Sequence, residues 1–172
     1  MGSAGSGTEQ VARQILASYG LSYEDVQARY LTFSESAASL RDGAIDAAII
    51  SVGYPAAAVL EATTTGGARL IPVEAERVEA LRARFPYYSH GVIPEGAYPG
   101  VTEDVSTVAM MNWVVAGSGL DAGVVGSLLT ILRDDGAALE QVHEMAGQID
   151  LEALEDAPIP LHQGVALWKE GD

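Results

Sequence analysis

The feature that most constrains this chain is an alternation, over its first 85 residues, of helical patterns with short strand-like runs. Its clearest member is Ile45-Asp46-Ala47-Ala48-Ile49-Ile50-Ser51, a nearly continuous apolar run between turn residues. Such a run reads as a strand buried on both faces in a parallel sheet. Gln27 to Phe33, with its aromatics, reads as a second short strand, and Arg69 to Val73 as a third. Helices stand between them. Val11, Ala12, Ile15, Leu16 and Tyr19 recur at helical spacing, and Gly20 ends that helix as its C′ residue. Ser34 is read as the N-cap of a helix over Glu35 to Arg41, closed by Gly43. Pro55 suits the first turn of a helix over Ala56 to Ala62. Ala75 to Phe85 forms another helix, with Val78, Leu81 and Phe85 on one face. This alternation implies βαβ units and an α/β fold around a parallel sheet.

Between Pro86 and Glu103 the texture changes. Pro86, Pro94 and Pro99 interrupt a stretch that carries Tyr87, Tyr88, His90 and Tyr98. It reads as an irregular segment crossing between lobes, because its aromatics call for burial. Asp104 to Ala116 is strand-like. Beyond it the pattern is helical. Asp121 caps a helix with Val124, Val125, Leu128, Leu129 and Leu132 facing inward, and Gly136 separates it from a helix over Ala137 to Ala146. A last short helix covers His162 to Glu170. The expected organisation is an α/β lobe with a crossing segment over residues 1–103, then a crossing strand and C-terminal helices over 104–172. There are no internal repeats and no low-complexity segments.

With 172 residues and 48% hydrophobic content, the chain has enough material to bury a core. No apolar run reaches the ~18 residues of a membrane-spanning helix. The start has neither the basic nor the apolar region of a signal peptide. The net charge of −15 repels nucleic acid and anionic membrane, which makes both poor partners. Without cysteine there is no disulfide and no thiolate metal site.

Enzyme readings fare poorly. His90, His143 and His162 are scattered, with no partner at metal-binding spacing. No G-x-S-x-G elbow is present. His143 is expected to be exposed and His162 to be a hydrogen-bonded packing residue. The carboxylate pairs Asp134/Asp135 and Glu152/Glu155 read as solvated helix ends.

The first eight residues, Met1-Gly2-Ser3-Ala4-Gly5-Ser6-Gly7-Thr8, run straight into the first helix. A Ser-Gly-Thr turn there leaves the first amides pointing outward at the positive end of the helix dipole. The turn is either an ordinary cap by Thr8 or Ser6, or a small site for a carboxylate or phosphate. Two nucleotide motifs fail. Gly2 and Gly7 have P-loop spacing, but Thr8 stands where the lysine belongs. Gly5 and Gly7 fit a dinucleotide fingerprint, but Gln10 replaces its third glycine. Together with Phe33-Ser34-Glu35 and Ser51 to Pro55, the loop Ser3 to Thr8 would lie at one edge of a parallel sheet, where ligands bind. Backbone amides, small hydroxyls and Tyr54 suit a polar small molecule.

Gly5-Ser6-Gly7-Thr8, Ala12-Arg13-Gln14-Ile15-Leu16, Gly20-Leu21, Asp42-Gly43-Ala44-Ile45-Asp46-Ala47 and Gly53-Tyr54-Pro55 resemble, in order, the second half of a TAXI-family solute receptor. These are the extracytoplasmic binding proteins of TRAP transporters. Ile93-Pro94-Glu95-Gly96-Ala97-Tyr98-Pro99-Gly100, Asp104-Val105-Ser106-Thr107-Val108 and Ile159-Pro160-Leu161-His162 extend the resemblance over essentially the whole chain. Gln163 departs from it, standing where the family has proline.

The resemblance implies a periplasmic-binding-protein type II-like fold of two lobes, closing by hinge motion on a small anionic solute. Its solutes are amino acids such as glutamate, and dicarboxylates. It implies no catalysis and no cofactor, TRAP membrane subunits as partners, and a periplasmic or other extracytoplasmic location. By the same resemblance Ser6, Gly7 and Thr8 are ligands of the solute carboxylate, while Ser51, Gly53, Tyr54 and Pro55 line the opposite wall. Glu35 either meets a ligand amino group or is a surface carboxylate at a helix start. Family members have a signal peptide and a further lobe before the glycine loop. The chain is therefore expected to be a second lobe with its C-terminal helices, lacking half the ligand shell. Apolar faces between Asp121 and Glu170 are then expected to pair with a second copy. Two rival readings share this architecture: a ligand-sensing effector domain of a regulatory protein, and an enzyme.

Overall fold

The computed structural model describes residues 1–171, which fall into two compact units, Met1–Met111 and Asn112 onward. The first unit holds α1 (Gly7–Ser18), α2 (Phe33–Arg41), α3 (Ala57–Thr65), α4 (Ala75–Arg84), β1 (Tyr88–Ile93) and β2 (Val105–Met110). α1 and α4 lie where the apolar spacing predicts them. α1 is closed by a Schellman motif: the amides of Gly20 and Leu21 donate to the carbonyls of Ala17 and Leu16. α2 ends in the same way at Gly43 and Ala44, bonded to Leu40 and Ser39.

The sheet differs from the expectation. It is a two-stranded antiparallel ladder running from Tyr88 opposite Met110 to Ile93 opposite Val105. Among the described residues, the three runs read as parallel strands form no ladder. Each has a local reason. Ile45 to Ser51 carries Ala47, Ala48 and an exposed Asp46, all weak strand formers. Gln27 to Phe33 loses its last residue to α2. Arg69 to Val73 contains Pro72, which has no amide to give a ladder. Only Val73 reaches the sheet: its amide donates to Ser106 O at 3.0 Å, and its carbonyl accepts from Ser106 Oγ at 2.6 Å.

The segment read as irregular contains β1. Asp104 to Ala116 is strand only as far as Met110, because that residue's partner, Tyr88, is the first of β1 and Pro86 lies just beyond. α3 starts at Ala57 rather than Ala56. Pro55 precedes it in a cis peptide bond with Tyr54, and Ala56 donates its amide to the Tyr98 hydroxyl at 3.0 Å.

α4 packs on β1 and α1, burying Val78 and Leu81 against the hairpin, where Tyr88 is also buried. Burial, followed by the neighbouring Tyr87, pushes the Tyr88 phenol up to about 12. Its hydroxyl donates to Gln14 Oε1 on α1. Tyr98 and Val101 are buried in the loop between the strands.

The second unit holds α5 (Ala122–Asp134), α6 (Gly136–Val142) and α7 (Gln163–Glu170), with 3-10 turns at Glu144–Gln148 and Glu152–Asp156. Asp121 caps α5 by accepting the amides of Gly123 and Val124. Val125 and Leu129 on α5 pack with Val165 on α7, and Leu151, Leu154 and Trp168 close around them. Two residues read as inward are not: Val124 is 54% exposed and Leu128 is 42% exposed. The predicted helix over Ala137 to Ala146 breaks at His143, whose backbone is extended and whose Nδ1 accepts the Met145 amide at 3.1 Å. A side chain that bonds its own backbone competes with the helix ladder. Among the described residues, no helix is long and apolar enough to cross a membrane.

Candidate solute site

The N-termini of α1 and α2 are built by the same local code. Ser6 Oγ accepts the Glu9 amide at 3.2 Å, and the Glu9 carboxylate turns back to accept the Gly5 amide at 3.2 Å. Thr32 Oγ1 accepts the Glu35 amide at 3.3 Å, and the Glu35 carboxylate accepts both the amide and the hydroxyl of Thr32 at 2.8 Å. The second is a full capping box; the first has the same S/T-x-x-E spacing, but its carboxylate reaches the Gly5 amide rather than that of the cap residue Ser6. The second corrects the expected cap of α2. Glu35 lies three residues after Thr32, so Thr32 outcompetes Ser34 as the cap.

These two helix starts converge on one open cavity of about 190 Å³, lined by Ser3, Ser6, Thr8, Leu31, Thr32 and Phe33. Its polar side is rich in donors. Among the described residues Ser6 Oγ acts only as an acceptor, which leaves its proton available. Among the described residues no partner is found for the hydroxyls of Ser3 and Thr8 or for the amides of Thr8 and Phe33, all of lining residues; the amides of Gly7 and Ser34 are also unpartnered there but belong to residues outside the lining. Such orphan amides carry the positive end of a helix dipole. Thr32 differs, since its hydroxyl proton is already given to Glu35. Thr8 is held tightly from behind: a Cβ on Gly2, whose φ is +77°, would lie 2.7 Å from Thr8 Cβ.

Both carboxylates at these helix starts are committed. Arg13 donates to Glu9 Oε1 at 2.6 Å and, followed by the Gly5 amide, holds the Glu9 carboxyl below the usual carboxylate range. Arg13 in turn lies 4.4 Å over the Tyr23 ring, whose phenol burial pushes upward. The Thr32 amide, followed by the Thr32 hydroxyl, lowers the Glu35 carboxyl in the same way.

Of the residues singled out in the sequence, Ser6 and Thr8 line the cavity and Gly7 stands between them as the first residue of α1. Glu35 is exposed one turn into α2. Ser51, Gly53, Tyr54 and Pro55 are half-buried and lie outside the cavity lining. The wall facing Ser6 and Thr8 consists of Leu31, Thr32 and Phe33. Sequence reading missed Leu31 and Thr32, although the T-x-x-E spacing from Thr32 was there to find. It also missed Glu9, whose carboxylate accepts the Gly5 amide within the loop. Among the described residues, no group of three or more His, Asp or Glu side chains is arranged to hold a metal ion. Residues 1–170 match the family model of the NMT1-like family.

Proposed function

The chain belongs to the NMT1-like family, a periplasmic solute-binding family related to TRAP receptors, and we propose that its solute is a small anion held between α1 and α2. The observation that carries this reading is the convergence of two helix N-termini, with hydroxyls and unpartnered amides, on one cavity. Such a place attracts a carboxylate through fixed dipoles, which matters in a chain whose net charge of −15 opposes anion binding at long range. The cavity is smaller than the ~300 Å³ at which drug-sized pockets begin, so it favours a small solute. Amino acids such as glutamate, and dicarboxylates, are the proposed class. Ser6, Gly7 and Thr8 bind the carboxylate, and Leu31 and Phe33 offer apolar contact to the carbon skeleton.

The proposed role is TAXI-type: extracytoplasmic capture without chemistry or cofactor, and delivery to TRAP membrane subunits. Ser51, Gly53, Tyr54 and Pro55 remain candidates for contacts made when the site closes over its solute. Self-association belongs to the same reading. Val124, Leu128 and Ile131 form an exposed apolar row on α5, which sedimentation of the chain at several concentrations would test.

Calorimetric titration with L-glutamate and a panel of dicarboxylates tests the assignment. Saturable heat is expected. Thr8→Ala should weaken binding by about 1–2 kcal/mol, as for one hydrogen bond to a charged group. Absence of heat with every member would overturn the assignment of this cavity to amino acids and dicarboxylates.

A further inference from the structure

The two ring nitrogens of His162 are in unequal positions. Nδ1 accepts the Gly164 amide at 3.1 Å and so caps α7. Nε2 is buried and has no hydrogen-bond partner among the described residues. A ring that accepts at Nδ1 is neutral and carries its proton on Nε2. The neutral ring therefore holds the helix start at the expense of one buried, unanswered N–H.

The helix start is closely packed against α5. A Cβ on Gly164 would lie 2.7 Å from Val125 Cβ and 2.8 Å from the Ala122 carbonyl, and Val165 is buried beside it in the α5–α7 core. We propose that His162 is an acid-sensitive latch, its neutral ring seating the N-terminus of α7 on α5 and its protonated ring releasing it. Protonation turns Nδ1 from acceptor to donor and sets it against the Gly164 amide, while Nε2–H still finds no acceptor. A charge would then stand where its own donors are unsatisfied, which is costly.

The charged groups on the elements packed around α7 have partners or face water. On α5, Asp121 accepts the Gly123 and Val124 amides, and Arg133 binds Asp134 and lies 5.3 Å from the Trp168 ring. On the preceding turn, Glu155 pairs with Lys169 at 2.9 Å, while Glu152 and Asp156 are exposed, as is Glu170 at the far end of α7. His143 offers an internal control: it makes the same Nδ1 bond at 3.1 Å, but exposed and to a different turn. The latch operates independently of any solute.

Trp168 reports the seating of α7, because its Nε1 donates to Thr130 Oγ1 at 3.1 Å across to α5. In the full chain carrying Trp113→Phe, Trp168 is the one remaining tryptophan. Its emission is expected to shift red, reversibly, when the buffer is taken from about pH 7.5 to about pH 5. After correction for intrinsic exchange, the amides of Gly164 and Val165 should open about five times more often at the acid end, the factor matching a lost cap. His162→Asn keeps a capping acceptor without the titration and should abolish both changes, whereas His143→Asn should leave them. An identical transition in His162→Asn, or none in the parent, overturns the latch. Should His162→Asn fail to fold, nitrogen-15 spectra of the unsubstituted chain decide. The Nε2–H tautomer is expected at about pH 7.5, and an Nδ1–H tautomer there overturns the proposal.

Discussion

Arg77 Nη1 donates to the main-chain carbonyl of Ser18 at 2.8 Å, so a guanidinium from α4 closes the last turn of α1. The same group lies 5.0 Å from the centre of the Tyr19 ring, and the Tyr19 hydroxyl donates to Glu74 at the start of α4. Carbonyls at a helix C-terminus carry partial negative charge, which makes a cation there favourable. These contacts join two helices that are remote in sequence. Arg77→Met keeps most of the aliphatic stem and removes the donor. It is expected to lower stability by about 1–2 kcal/mol, less than a fully buried charged bond because the site is partly exposed. A urea midpoint unchanged from the parent would refute this.

Thr32 and Thr8 stand on the same cavity but should fail in opposite ways. Thr32 has both its acceptor and its donor committed to Glu35, so Thr32→Ala removes a capping box. The expected loss is about 1 kcal/mol of stability with solute affinity largely kept. Thr8→Ala should do the reverse, because its hydroxyl has no partner among the described residues. Thermal unfolding and calorimetry on the two variants together separate capping from binding. Equal losses in both quantities for both variants would show that the distinction is false.

Helix ends were legible in this sequence because their signals are local. Gly20 and Gly43 close α1 and α2 as C′ residues, and the Ser6 turn opens α1. Thr32 was missed for a local reason as well: Ser34 looks like a cap on its own, but only Thr32 has a glutamate three residues on. The sheet was not legible, because strand pairing is decided by residues far apart. Ile45 to Ser51 has the hydropathy of a central strand, yet among the described residues no neighbouring run supplies a ladder. Tyr88 to Ile93 lies between Pro86 and Pro94 and shows little strand character until Val105 to Met110 is placed opposite. The cavity was half legible for the same reason. Ser6 and Thr8 announce themselves, whereas Leu31 and Phe33 reach the same cavity from a segment remote in sequence.

Glu9 supplies a pH dependence whose sign is fixed by its partners. Its folded carboxyl lies below the ordinary value, first through the Arg13 hydrogen bond and then through the Gly5 amide. A depressed folded value means that the carboxylate stabilises the fold above the unfolded value of 4.5, and that this contribution fades as pH falls through the folded one. Glu35, lowered by Thr32, acts in the same direction. Urea midpoints between about pH 6 and 3 should therefore fall with acid, and Glu9→Gln should flatten that slope. A slope untouched by Glu9→Gln would show that the Glu9–Arg13 pair, whose Arg13 end is exposed, adds nothing measurable.

Gly164 tests the packing of the second unit apart from the His162 ring. A methyl there meets Val125 Cβ at 2.7 Å and the Ala122 carbonyl at 2.8 Å, and the second of these is backbone that cannot rotate aside. Some gain is expected from alanine's higher helix propensity, up to ~1 kcal/mol. Overpacking of this kind costs about 1–3 kcal/mol and forces helices apart. The clash should win, so Gly164→Ala is expected to destabilise the α5–α7 pair and expose Trp168, whose Nε1 bond to Thr130 needs close approach. Tryptophan emission and thermal unfolding in the Trp113→Phe background would read both effects. A more stable Gly164→Ala variant with unshifted Trp168 emission would mean that α7 lies further from α5 than 2.7 Å allows.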